Sequence, residues 1–299
     1  MSFMRLTSLK QTKNTGPITK LYKQVLRDEI TEQSDPLRLR PSSFPLCPIH
    51  VVHQHSQHEQ LGYVPHAATL HSDFFTSVGT ALHLVFQKWF ARTGVLFGNW
   101  KCTNSKCRKH GELITMTTQH LCSRCDYPLE YCEIEVDFYG VVGHVDGVVL
   151  VDTDTYVVLD FKTTSSNVLA GKKLPKHENI KQLSSYAYIL RKKYQLNVVG
   201  HSLLYVVRDN PGMYGEFYTD FGLEQRQQAR DFLRSQIKMY RAAITSLETH
   251  DAQLVVDHKP CPNETYYHEN MHVYQQCPFL DVCFNPKKLL RTVQKFVQE

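Results

Sequence analysis

Residues 141–164 read VVGHVDGVVLVDTDTYVVLDFKTT, and their alternation decides the fold. Two β-branched runs, 141–151 and 155–162, flank Asp152-Thr153-Asp154, whose residue types favour a turn. Successive side chains on a strand point to opposite faces, so His144 and Asp146 share a face, as do Asp160 and Lys162. A three-residue loop at 152–154 sets Val151 opposite Thr155 and Asp146 opposite Asp160. Both carboxylates and the lysine then sit together, while Val145, Val149, Val157, Leu159 and Phe161 occupy the other face, where helices would cover them. Slipping the register by one residue would bury the charges and expose that apolar set. Pattern and chemistry therefore demand the same pairing.

Outward from this hairpin, residues 73–92 place Phe75, Val78, Leu82, Phe86 and Trp89 at helical spacing, which predicts a buried helix. EIEVDFYG at 133–140 reads as a further strand. Downstream, the pattern predicts a helix over 177–194, strands over 198–208 and 214–220, and helices over 223–247 and 284–298. Residues 1–46 are polar, with one short helix around 19–33. The sum is an α/β protein with a mixed central sheet flanked by helices. Its organisation reads as an N-terminal segment and first core helix (1–99), an inserted cysteine ribbon (100–126), a core (127–220) and a C-terminal helical region (221–299).

The chain has 299 residues, 42% of them hydrophobic and 21% charged, which excludes disordered and collagenous classes. No run approaches the roughly 18 apolar residues of a membrane helix. The start, MSFMRLTSLKQTK, lacks the apolar region of a secretory signal, which predicts a cytoplasmic protein with no membrane partner. Charge is mildly basic at +5 but uneven. Residues 170–195 carry seven basic side chains (Lys172, Lys173, Lys176, Lys181, Arg191, Lys192, Lys193) against one acid, Glu178. A local surplus of this kind suits a polyanionic partner.

Nine cysteines in a chain without export signals point to metal binding or catalysis rather than disulfides. Cys102 and Cys107 are followed, after fourteen residues, by Cys122 and Cys125. Two close pairs on knuckle-like turns, joined by a short hairpin, present four thiolates tetrahedrally to Zn2+. His110 or His120 is available to replace one ligand. Cys47, Cys261, Cys277 and Cys283 form a second group drawn from both ends of the chain, suited to an iron–sulfur cluster or another zinc. Cys132 is left over as a small core residue.

Two adjacent carboxylates repel, and one is protonated unless a cation joins them. A divalent ion resolves the conflict, and oxygen ligands suit Mg2+ or Mn2+. A lysine beside it positions water and stabilises charge developing on a phosphate, so the implied reaction is phosphodiester hydrolysis.

The series Gly143-x-x-Asp146, Asp160-x-Lys162-Thr163 and Gln182-x-x-x-Tyr186 resembles the motifs of RecB-family PD-(D/E)XK nucleases. It is also similar to their iron–sulfur branch, which includes the CRISPR-adaptation exonuclease and helicase-linked nucleases. The resemblance implies a restriction-endonuclease-like core and a histidine ligand on an upstream helix, a place matched by His83 in Gly79-Thr-Ala-Leu-His83. It implies metal ligation by His83, Asp146 and Asp160, assistance from Lys162, and substrate contact by Gln182 and Tyr186. The nearby Lys172, Lys173, Lys176 and Lys181 then face phosphates. Cys47, Cys277 and Cys283 match three ligands of a 4Fe–4S cluster. Where the family has its other cysteine this chain has Tyr274, and Cys261 is the replacement at hand. Glu133 or Glu135 offers a further carboxylate.

The expected function is a metal-dependent DNA nuclease, an exonuclease on single strands or duplex ends, serving replication, recombination or repair beside a helicase or recombination protein. The rivals are a catalytically silent nucleic-acid scaffold and a structure- or sequence-specific endonuclease. The intact His–Asp–Asp–Lys set argues against the silent scaffold.

Overall fold

The computed structural model describes residues 39–43, 70–107, 113–116, 121–171, 174–210 and 212–249. Helix α1 (Leu70–Ala91) precedes strands β1 (Leu96–Cys102), β2 (Leu113–Met116), β3 (Leu129–Cys132), β4 (Ile134–Phe138), β5 (Val141–Val145), β6 (Gly147–Asp152) and β7 (Thr155–Thr164). Then come α2 (Ser166–Ala170), α3 (His177–Lys193), β8 (Val198–Val207), β9 (Tyr214–Asp220) and α4 (Leu223–Thr249). The main sheet runs β2-β1-β6-β7-β8-β9, with β3 also paired to β1, and β4 and β5 form a separate two-stranded ribbon. The β7–β8 pair is parallel and the others are antiparallel, so the sheet is mixed. Parallel strands need a long crossover, and α2 and α3 supply it. Among the described residues no helix is long and apolar enough to cross a membrane.

Both faces of β7 are covered. On one, Val148, Val158, Leu183, Ile189 and Leu203 belong to a single buried cluster built around α3. On the other, Phe161 stacks on Phe86 of α1 at 5.3 Å between ring centroids and meets Phe90 at 5.9 Å. The sequence predicts an apolar face opposite a charged one. Val158 and Val148 instead share the carboxylate face and are fully buried, so the charges lie at the end of an apolar surface. The helix stripe also differs from expectation: Phe86 packs inward, whereas Trp89 is 55% exposed.

The hairpin keeps its expected register by an unexpected route. Its turn is Thr153-Asp154, with Asp152 rather than Val151 opposite Thr155. A bulge at Val151 absorbs one residue and restores Leu150 opposite Tyr156 and Gly147 opposite Leu159. Extrapolated one step, that register sets Asp146 opposite Asp160.

The run 141–151 is not one strand. It bends at Asp146, leaves the β4–β5 ribbon and enters the main sheet, which carries Val145 into the α3-side core rather than beside Val149 and Val157. The sequence pattern also omits β1. Its LFGNWKC carries Gly and Asn, but Gly98 is needed because the Tyr131 ring occupies the space of a side chain there. Pairing of β1 with β6 makes the cysteine segment continuous with the main sheet.

Candidate active site

Asp146 lies at the bend where the chain changes sheets. Its Oδ2 accepts the backbone N–H of Phe161 at 2.9 Å and stands 3.2 Å from Nδ1 of His83 on α1. Asp160, on β7, is 3% exposed. Lys162 Nζ donates to its Oδ1 at 3.0 Å and lies 2.9 Å from Oδ2. Oδ1 receives the hydrogen bond and buried Oδ2 is held by the same ammonium as an ion pair, with no second donor among the described residues. A carboxylate has more lone pairs than this one lysine fills, which leaves room for a cation.

Burial pushes both carboxyls above the usual range, well above it for Asp146, where repulsion from Asp160 adds to the effect and the Phe161 N–H opposes it. For Asp160, burial is opposed mainly by the charge and hydrogen bond of Lys162. Burial lowers His83, with Asp160 opposing. The neutral imidazole is the form that ligates a metal.

The described residues bring a third carboxylate to this point, that of Glu133. One ligand atom each from His83, Glu133 and Asp146 lies within 4.8 Å of the others. Of the two glutamates singled out by sequence, Glu133 is therefore the one at the site. Glu135 is exposed and stands opposite His144 in the ribbon. Asp160 is not in that tightest group, being engaged by Lys162, but it is close enough to perturb both His83 and Asp146. The donor set of one imidazole and neighbouring carboxylates fits a hard divalent cation.

Three positioning groups escaped the sequence reading. Gln87 donates from Nε2 to Glu133 Oε1 at 2.9 Å and to the Asp146 carbonyl at 3.2 Å. The Tyr131 hydroxyl donates to that same carbonyl at 3.3 Å, and Asn99 Nδ2 to the Glu133 carbonyl at 3.1 Å. These side chains satisfy backbone acceptors at a bend between two sheets. The available signal for Gln87 was its position four residues after His83, on the same helix face.

Tyr186 of α3 is 3% exposed, and burial raises its hydroxyl above the usual range, against a hydrogen bond with Gln182. A Cβ at Gly143 would lie 2.6 Å from this hydroxyl, so the Gly143 and Tyr186 motifs meet in space. Tyr186 is thus a core ring with its polar end against the strand that leads to Asp146. Among the basic residues singled out by sequence, Lys181 has its ammonium 4.9 Å from the centre of the Phe232 ring on α4, and Lys176 lies 4.0 Å from Glu178. Lys172 and Lys173 lie outside the described residues.

The four ribbon cysteines converge. Cys102 Sγ is 3.5 Å from Cys125 Sγ, Cys107 Sγ is 4.0 Å from Cys122 Sγ, and all four lie within 4.8 Å of one another. The backbone N–H of Tyr127 draws the Cys125 thiol down to about 7, while burial pushes Cys107 up to about 12. Four thiols so placed can hold a metal ion. Cys132 sits on β3 opposite Asn99. Cys47, Cys261, Cys277 and Cys283 lie outside the described residues, as do His110, His120 and the helices expected at 19–33 and 284–298.

The chain matches the family model described as the PD-(D/E)XK nuclease superfamily over residues 44–284. Among solved structures it is similar to the chain titled "Crystal structure of SSO0001", with a TM-score of 0.45 and 14% identity, covering 88% of this chain and 97% of that one. No curated protein matches it. Members of the matched superfamily are metal-dependent nucleases, and both the mixed sheet flanked by helices and the buried carboxylates agree with that assignment. With most of its length matched, the chain belongs to the PD-(D/E)XK nuclease superfamily.

Proposed function

We propose that this protein is a divalent-metal-dependent deoxyribonuclease that removes nucleotides from single strands or duplex ends. The observation that carries the reading is the convergence of His83, Glu133 and Asp146 beside the buried Asp160–Lys162 pair. His83, Asp146 and Asp160 would hold Mg2+ or Mn2+, with Glu133 as a further ligand. A divalent cation there supplies Lewis-acid polarisation of the phosphate and makes water more acidic. Lys162 remains partly accessible, and an ammonium has three donors. One donor holds Asp160, and the others are free to orient water and meet charge developing on the phosphate. Gln87 and Tyr131 keep the Asp146 bend in place while charge rearranges around it.

The motif resemblance supports placement in the RecB-like iron–sulfur branch, with a 4Fe–4S cluster on Cys47, Cys261, Cys277 and Cys283. It also supports work in replication, recombination or repair beside a helicase or recombination protein. The thiol geometry supports Zn2+ at Cys102, Cys107, Cys122 and Cys125.

The test compares wild-type and Asp160→Ala protein on end-labelled single-stranded, duplex and circular DNA with Mn2+, Mg2+ or chelator. Metal-dependent loss of nucleotides from ends, absent in Asp160→Ala, is expected. Cleavage of closed circles would replace the exonuclease with an endonuclease. Tight DNA binding without cleavage in either protein would favour a silent scaffold. Colourless protein without iron would remove the 4Fe–4S assignment.

A further inference from the structure

A groove of about 420 Å³ lies between the outer face of α1 and the base of the cysteine knuckles. We propose that it binds the nucleotide next to the scissile phosphate, on an unpaired strand. This inference rests on the nuclease reading and specifies how that site takes its substrate.

Continuity with the active site is the first observation. Gln87 and Tyr131 both line the groove, and both donate hydrogen bonds to the Asp146 carbonyl, while Gln87 also holds Glu133. Whatever occupies the groove therefore rests on the side chains that fix two of the candidate ligands. The second observation is charge. Lys88 on the last turn of α1 and Arg92, the first residue after it, line the groove and are exposed. Glu130 is the acid on the facing wall, so cations prevail two to one among the charged lining groups. The third is mixed chemistry. Leu129 and Pro128 offer apolar surface opposite the cations, which suits a ligand with a flat apolar part and an anionic part. The volume is that of a site for one small molecule, about 300–1000 Å³, so a single nucleotide rather than a whole duplex fits inside it. A single strand can present one nucleotide at a time, with its phosphate towards Lys88 and Arg92 and its base against Pro128 and Leu129.

The experiment measures binding of the full chain to a labelled oligodeoxythymidine by fluorescence anisotropy in chelator, across a salt series. The Lys88→Glu/Arg92→Glu double variant should bind about tenfold or more weakly, and the slope of log affinity against log salt should fall by about 1.4, two phosphate contacts on a single strand. Ala91→Trp, which fills the groove without changing its charge, should weaken binding as well. Arg234→Glu/Lys238→Glu, the same change of charge at exposed positions on α4 that do not line the groove, should leave affinity and slope near wild type. Thermal melting establishes that each variant is folded, and Lys88→Gln/Arg92→Gln replaces any that is not. Wild-type affinity and slope in both groove variants would overturn the proposal. So would failure of the wild-type chain to bind the oligonucleotide, or tighter capture of an acidic peptide. If the wild type degrades DNA while the groove variants bind normally, the groove assignment fails and the nuclease stands. If nothing is cleaved while the groove variants lose binding, the nuclease reading fails and the groove remains a strand site.

Discussion

Gly143→Ala should damage the protein through one contact, and Tyr186→Phe should repair part of that damage. The new Cβ would meet the Tyr186 hydroxyl at 2.6 Å, Cε1 of the same ring at 3.2 Å and Cδ of Pro41 at 3.3 Å. A tyrosine hydroxyl at the surface would swing aside, but Tyr186 is 3% exposed, with the fully buried Leu183 and Ala187 beside it on α3. Overpacking of this kind costs about 1–3 kcal/mol. Tyr186→Phe alone should cost about 0.5–1.5 kcal/mol through loss of its hydrogen bond with Gln182. In the double variant the 2.6 Å contact is gone and the 3.2 Å contact becomes the nearest, which a small shift accommodates. The double variant should therefore be more stable than the sum of the singles by about 1 kcal/mol or more. Urea denaturation of the four proteins, with unchanged m-values, measures that coupling. Because Gly143 leads directly to Asp146, Gly143→Ala should also lower kcat/KM, towards the roughly 100-fold loss that follows a misplacement of about 1 Å. Strict additivity in stability would refute the reasoning, because it would mean that ring and strand move apart without cost.

Gln87→Ala should leave Glu133 Oε1 without its Gln87 donor and the Asp146 carbonyl with Tyr131 in place of two side-chain donors, weakening Mn2+ binding by about 10–100-fold in calorimetric titration. Unchanged Mn2+ affinity would remove the positioning role. His201 is 1% exposed and burial depresses it to about 4, so between the unfolded value near 6.5 and about 4 the unfolded chain binds the extra proton. Stability should fall with decreasing pH across that window, by about 3 kcal/mol in all, and His201→Phe should flatten that part of the profile in urea melts at pH 7 and pH 5. Elemental analysis should find one zinc per chain at the ribbon, lost in Cys102→Ser; full zinc content in that variant would remove Cys102 as a ligand.

The legible parts of this protein were those set by neighbours along the chain. The alternation in 141–164 sets Asp146 against Asp160 even though the turn differs by one residue, because burial on both sides of β7 penalises a slipped register more than a bulge at Val151. The pairing of Cys102 and Cys107 with Cys122 and Cys125 is equally local, and the four sulfurs converge. Hydrophobic pattern alone, however, could not separate a face exposed to solvent from one capped by charges and covered by α3.

By itself, the sequence determined which residue types lie on a common strand or helix face, and hence the Asp146–Asp160–Lys162 grouping; His83 entered only through the motif resemblance. Only the tertiary structure decided that the chain changes sheets at Asp146, that Glu133 rather than Glu135 joins His83, and that Gln87 and Tyr131 support the bend. Gln87 stands 46 residues from Glu133 and 59 from Asp146. Contacts across such separations depend on how helices and sheets dock, and no local period encodes them. The two strand motifs nonetheless lie where short-range geometry sets them, which is why Asp146, Asp160 and Lys162 could be grouped before their surroundings were known.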